Sequence, residues 1–159
     1  MHPRIKKAVN RLVFEEPFIG SLLPRLEIFE DDTITTMNTD GMCIRYSPEF
    51  VDNLTDAYCM AVVAHEVFHC IMLHMFRKFT RDPRAWNVAC DYSINPLVNE
   101  LKSCSLPPED HPYAPLMDLH RWPAGVTAEK IYEELKDSDI PQDMELDIIY
   151  VSNNGGAEA

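Results

Sequence analysis

Residues 59–74 read Cys59-Met60-Ala61-Val62-Val63-Ala64-His65-Glu66-Val67-Phe68-His69-Cys70-Ile71-Met72-Leu73-His74. Apolar side chains fall on most sides of a helix here, and neither Pro nor Gly occurs from Thr55 to Phe79. The pattern predicts one helix over that span, running through the middle of the domain. Within it, His65-Glu66-Val67-Phe68-His69 is an H-E-x-x-H. Residues four apart on a helix lie about 40° apart and one turn up. His65 and His69 can therefore aim at one ion. Glu66 lies about 100° round from His65, close to the ion without binding it, where it can take a proton from metal-bound water. Zinc suits neutral imidazole and carboxylate oxygen in a site that keeps one position for water. The plainer alternative is a pair of core histidines hydrogen-bonded to their surroundings, with Glu66 facing solvent.

A catalytic zinc needs a third protein ligand. The candidates are His74, Asp91, Glu100, His111 and His120. His74 is half a rotation away from His65 on an unbroken helix, so it reads as a surface residue or a support behind the ligands. Met72 and Met75 occupy the positions where a longer H-E-x-x-H-x-x-G-x-x-H would have Gly and His. Asp91 lies in a second apolar helix, where Asn87, Asp91 and Asn95 form a polar stripe four residues apart. A buried stripe needs partners. If the two helices pack antiparallel, Asp91 faces His65 and His69, and Asn87 or Asn95 can orient the ligands. A metal-free polar network is the alternative.

Outward from these helices the chain reads as α+β. Ile5 to Phe14 has helical spacing, and residues 26–46 read as a small antiparallel sheet with a hairpin near Asp40-Gly41. Ser47-Pro48 and Asp82-Pro83 are helix starts, and Asn95-Pro96 predicts a break followed by a short helix. Five prolines make 103–126 an irregular loop, and Thr127 caps a last helix from Glu129 to Leu135. The expected division is a domain over 1–136 and an acidic, flexible tail or linker stump over 137–159.

The chain has 159 residues, 46% hydrophobic and 25% charged, an ordinary globular mixture. Twenty-six acids against 14 basic residues give a net charge of -12, and residues 129–159 alone carry nine acids against Lys130 and Lys136. Such a surface repels phosphate backbones, so nucleic-acid binding is disfavoured. No export signal or membrane-length apolar run is present. The five cysteines form no CxxC pair and read as buried reduced thiols, which points to the cytoplasm.

Several segments together resemble a known family. They are Pro17-Phe18-Ile19-Gly20, Thr39-Asp40-Gly41, Tyr46-Ser47-Pro48-Glu49-Phe50, the H-E-x-x-H with Cys70, Arg81-Asp82-Pro83, Trp86 to Asn95, and Ala128-Glu129-Lys130-Ile131-Tyr132. In this order they resemble the metallopeptidase domain of bacterial and phage proteins that precedes a von Willebrand factor A-like domain. The resemblance implies a zincin-like fold, with a small sheet packed on the H-E-x-x-H helix. It implies zinc on His65, His69 and Asp91, with Glu66 as general base in peptide-bond hydrolysis. The expected partners are a protein or peptide substrate, lying along an edge of the sheet, and a von Willebrand factor A-like domain that this sequence does not contain. Tyr92, Tyr132, His74 and His120 are all candidates to hold the oxyanion. A different class of function fits the same residues: a non-catalytic, metal-stabilised interaction module. The discriminator is whether four protein ligands close the site or one corner stays open.

Overall fold

The computed structural model describes residues 1–111 and 119–150. Part of the expected 103–126 loop and the end of the expected tail, 112–118 and 151–159, lie outside the described residues. In chain order the elements are α1 (Pro3–Glu15), α2 (Pro17–Leu22), β1 (Glu27–Glu30), β2 (Met37–Thr39), β3 (Cys43–Tyr46), α3 (Pro48–Asp52), α4 (Asp56–Ile71), α5 (Pro83–Asn99) and α6 (Ala128–Glu134). The fold is mixed α+β. Among the described residues, no helix is long and apolar enough to cross a membrane.

The helix starts form as their sequences dictate. The side chains of Ser47, Thr55, Asp82 and Thr127 each accept a backbone N–H three residues on, at Phe50, Tyr58, Ala85 and Lys130. Ile5, Ala8 and Leu12 bury one stripe of α1 among Cys59, Met60, Val63 and Val67 of α4. α4 is thereby covered and forms the centre of the main core. Gly20 lets α2 cross α1 closely: a Cβ there would stand 2.5 Å from Val13 Cα, a backbone atom that cannot swing aside. Gly20→Ala is expected to cost about 1–3 kcal/mol. In thermal unfolding this lowers the midpoint by about 2–4 °C per kcal/mol.

The sheet corrects the expectation of an all-antiparallel arrangement. Its order is β1-β3-β2, with β2 antiparallel to β3 but β1 parallel to it. The hairpin is where the sequence places it. Asp40 Oδ1 accepts the N–H groups of Met42 and Cys43, and Gly41 supplies the left-handed turn residue at φ 95°. β3 is central because it is the apolar strand, with Ile44 and Tyr46 fully buried. The largely exposed β1 is left to an edge. β1 and β3 run the same way because the chain reverses twice, between β1 and β2 and again at the hairpin between β2 and β3.

Two helix boundaries also differ. α4 stops at Ile71 instead of continuing to Phe79, and Leu73 adopts a left-handed φ of 56°. The chain folds back on itself in a short turn over His74–Phe76. α5 runs straight through Pro96. The backbone bond that Pro96 cannot donate is outweighed by the burial of Ile94 and Val98 on either side of it.

Residues 145–150 are packed, where a flexible tail over 137–159 was expected. Thr39 N–H donates to Asp147 O (2.9 Å) and Ile149 N–H donates to Thr39 O (2.8 Å). Ile148 thus lies parallel beside Thr39 on the outer edge of β2. Its side chain is fully buried with Met75, Trp86, Cys90 and Ala128. Glu145 accepts from the hydroxyls of Thr35 (2.5 Å) and Thr36 (3.1 Å). Apolar burial at Ile148 and this backbone pairing outweigh the acidic composition of the stretch.

Candidate metal centre

α4 and α5 pack against each other. Polar contacts join 65 to 95, 69 to 91 and 74 to 86, so one number rises as the other falls and the helices run antiparallel. This direction turns the Asn87–Asp91–Asn95 stripe towards the two histidines. His65 Nε2 and His69 Nε2 lie 3.0 Å apart. Asp91 Oδ1 is 3.0 Å from each of them. Asp147 Oδ2, from the packed C-terminal segment, is 2.9 Å from His65 Nε2 and 3.1 Å from His69 Nε2. These four donor atoms all lie within 4.8 Å of one another. His69 is completely buried, and the other three side chains are between 12% and 17% exposed.

The chemistry of this donor set fits a divalent cation. His65 Nδ1 faces Asn95 Oδ1 at 2.8 Å. The amide oxygen only accepts, so Nδ1 carries the proton and the neutral ring presents its Nε2 lone pair inwards. That lone pair meets two carboxylate oxygens and a second imidazole nitrogen, with no donor between them. A proton or a cation must fill the gap. Tetrahedral zinc ligands, bonded at about 2.0–2.2 Å, stand about 3.3–3.6 Å apart, close to the separations here.

In the metal-free chain, protons serve instead. Burial pulls both histidines down, but hydrogen bonds to Asp147 and Asp91 and the carboxylate charges outweigh it. His65 is held well above its ordinary value and His69 above it. Burial pushes Asp147 up, and the charges and hydrogen bonds of His69 and His65 bring it well below the usual carboxylate range.

Behind the donors stands a supporting layer. Asn87 Nδ2 donates to Asp91 Oδ2 (3.2 Å) and Asp147 Oδ1 (2.6 Å), while its Oδ1 accepts Ile148 N–H (3.2 Å). His74 is buried, with Nδ1 3.0 Å from His69 Nδ1 and its carbonyl accepting Trp86 Nε1–H at 2.9 Å. It reaches this place because α4 ends early, and it braces His69 from behind.

Burial and the His69 charge push the His74 pKa down to about 2, so it stays neutral when folded. Below pH 6.5 the unfolded chain gains a proton at His74 that the folded chain refuses, and this contribution to stability falls towards acid. His65 and His69 act with the opposite sign, stabilising below pH 6.5 and losing that contribution as pH rises through their raised values. Asp147 contributes above pH 3.8 and loses its part only as pH falls through its depressed value. In urea unfolding of the metal-free protein, His74→Asn should reduce the stability lost between pH 7 and pH 5 by about 2 kcal/mol. Equal losses in the two proteins would show that His74 titrates in the folded chain.

Glu66 lies between the two histidines in sequence and is only 2% exposed, contrary to the alternative that turns it to solvent. Among the described residues, its buried Oε1 has no hydrogen-bond partner. Burial first, then the Asp147 charge, raises its pKa well above the usual range. Of the other candidate ligands, Glu100 is exposed at the end of α5, and neither His111 nor His120 joins the donor group. Among the possible oxyanion groups, Tyr132 accepts Asp82 N–H through its hydroxyl, and Tyr92 stacks edge-on against Trp122. Asp147 is the residue sequence reasoning missed. Its signal was the β-like run Asp147-Ile148-Ile149-Tyr150-Val151 inside the acidic stretch.

An uncharacterized protein of Thermotoga maritima is 27% identical to this chain over 111 residues. The match covers 65% of this chain and 28% of that relative, so the chain spans little more than a quarter of its length. No solved structure matches. The family whose model fits residues 1–154 is described as a putative metallopeptidase domain, and the chain belongs to that family.

Proposed function

We propose that this chain is a zinc-dependent peptidase of zincin-like construction, in which α4 carries the catalytic motif and the β2 edge receives the peptide. The observation that carries this reading is Glu66 Oε1, a buried carboxylate oxygen without a donor among the described residues, one residue from a convergent His65/His69/Asp91 donor set. An orphaned buried acceptor is costly. A water at the metal would supply the missing donor. His65, His69 and Asp91 would hold the ion, which when bound supplies Lewis acidity and brings the pKa of its water to about 7. Glu66 would serve as the base, its carboxylate accepting a proton from water and passing it to the leaving amine nitrogen. Asn95 and His74 hold the two imidazoles in orientation, and Asn87 does the same for Asp91. Thr39, on the outer edge of β2, already pairs its N–H and carbonyl with Asp147 O and Ile149 N–H, the bonds that an extended substrate chain would take over in β-strand addition.

A second reading is favoured by one specific observation. Four protein donors make a closed set, which is the mark of structural zinc. The protein would then be a metal-stabilised interaction module. That reading leaves the buried Glu66 carboxylate without a purpose. The test is hydrolysis of fluorescein-labelled casein by zinc-loaded protein carrying Asp147→Ala, with and without a chelator. Cleavage that stops on chelation and returns with zinc is expected; its absence favours the interaction module.

A further inference from the structure

The segment that supplies Asp147 does two things at once. Through Asp147 O and Ile149 N–H it pairs with the outer edge of β2 at Thr39. Through Asp147 Oδ2 it fills the corner of the donor set that hydrolysis needs for water. Its other contacts are ones an unrelated peptide could make. Ile148 N–H meets Asn87 Oδ1, and the Ile148 side chain enters an apolar pocket of Met75, Trp86, Cys90 and Ala128.

The two acidic donors are also held differently. Asp91 sits in the middle of α5, fixed by the helix ladder and by Asn87. Asp147 sits outside the regular helices and strands, on a strap tied by two backbone bonds at Thr39 and by Glu145 on Thr35 and Thr36. Asn87 would keep Asp91 in place if Asp147 left.

We propose that residues 145–150 are an internal occupant of the substrate edge, a strap that closes the metal centre with Asp147 and must be displaced before the site can act. The peptide that replaces it is an extended chain with a bulky aliphatic side chain, seated where Ile148 now lies. This rests on the peptidase reading above, but the closure itself can be measured without any hydrolysis.

The experiment loads the whole chain with Co²⁺ and follows its visible absorption on adding acetohydroxamate, a small chelating ligand for an open metal position. The wild type should keep one cobalt per chain and show no change. Asp147→Ala should also keep one cobalt, change its spectrum on adding acetohydroxamate, and, with zinc, cleave labelled casein at least ~10-fold faster than the wild type. Glu145→Ala, which loosens the strap and leaves every donor in place, should give a partial response of both kinds. It also serves if Asp147→Ala fails to fold.

Two results overturn the strap: loss of cobalt from Asp147→Ala by 100-fold or more in affinity, which makes Asp147 a permanent ligand, or an equal acetohydroxamate response in the wild type. Casein cuts mapped by mass spectrometry should fall beside Ile, Leu or Val; cuts without that preference overturn the pocket assignment. An acetohydroxamate response in Asp147→Ala without any casein cleavage upholds the strap and overturns the peptidase reading instead.

Discussion

Replacing Glu66 with Gln in the Asp147→Ala background should abolish casein cleavage while leaving the metal in place. The expected loss is about 10²–10⁴-fold in turnover, the usual contribution of a positioned general base. Gln keeps the size of the side chain and removes only its capacity to take a proton. Metal content should not change, because the carboxylate is outside the His65, His69, Asp91 and Asp147 donor group. Stability should hold or rise. The carboxylate is buried, lacks a partner at Oε1 among the described residues and is pushed towards its neutral form first by burial, which the Asp147→Ala background retains, so a neutral amide relieves part of that cost. Metal analysis, thermal unfolding and turnover on one preparation separate these effects. Retained cleavage would refute Glu66 as the base; loss of metal would show that it is a ligand.

The parts of this centre that could be read from sequence are those governed by local periodicity. His65, Glu66 and His69 lie on a helix because nothing from Thr55 onwards interrupts one, and Asp91 shares a face with Asn87 and Asn95 because the stripe has a helical period. The antiparallel packing of α4 on α5 was a condition that sequence could state but not decide. The rest depended on long-range contacts. The end of α4 carries no Gly or Pro; Leu73 is driven into a left-handed conformation that its own propensity disfavours, and this alone puts His74 behind His69. Pro96 predicted a break that core burial overrode. The parallel pairing of β1 followed from which strand was apolar enough to sit in the middle. Asp147 lay hidden because its acidic neighbours suggested a solvated tail, and only the pairing of Thr39 with a segment more than 100 residues away brings it to His65 and His69.

Replacing His69 with Ala should be the most damaging single change to the centre. His69 is the one donor with no exposed surface, and its ring touches all the other groups: His65, Asp91 and Asp147 through Nε2, His74 through Nδ1. Without it the two carboxylates keep their burial but lose half of the positive charge or lone pairs that face them. Removing one partner from a buried ionic cluster costs about 3–5 kcal/mol, and the space left by the ring adds to it. Zinc affinity should fall on the order of 10³-fold or more, since a direct ligand is lost where even supporting residues are worth 10–100-fold. Thermal unfolding reads both effects. At free zinc a thousandfold above its dissociation constant, the wild type should gain about 4 kcal/mol, or about 8–16 °C in midpoint for a chain of this size. His69→Ala should start lower and gain almost nothing at the same zinc concentration. A variant that unfolds as the wild type does, with the same rise on adding zinc, would mean that the ion is held elsewhere and that the convergence of His65, Asp91 and Asp147 on His69 is a hydrogen-bonded core network.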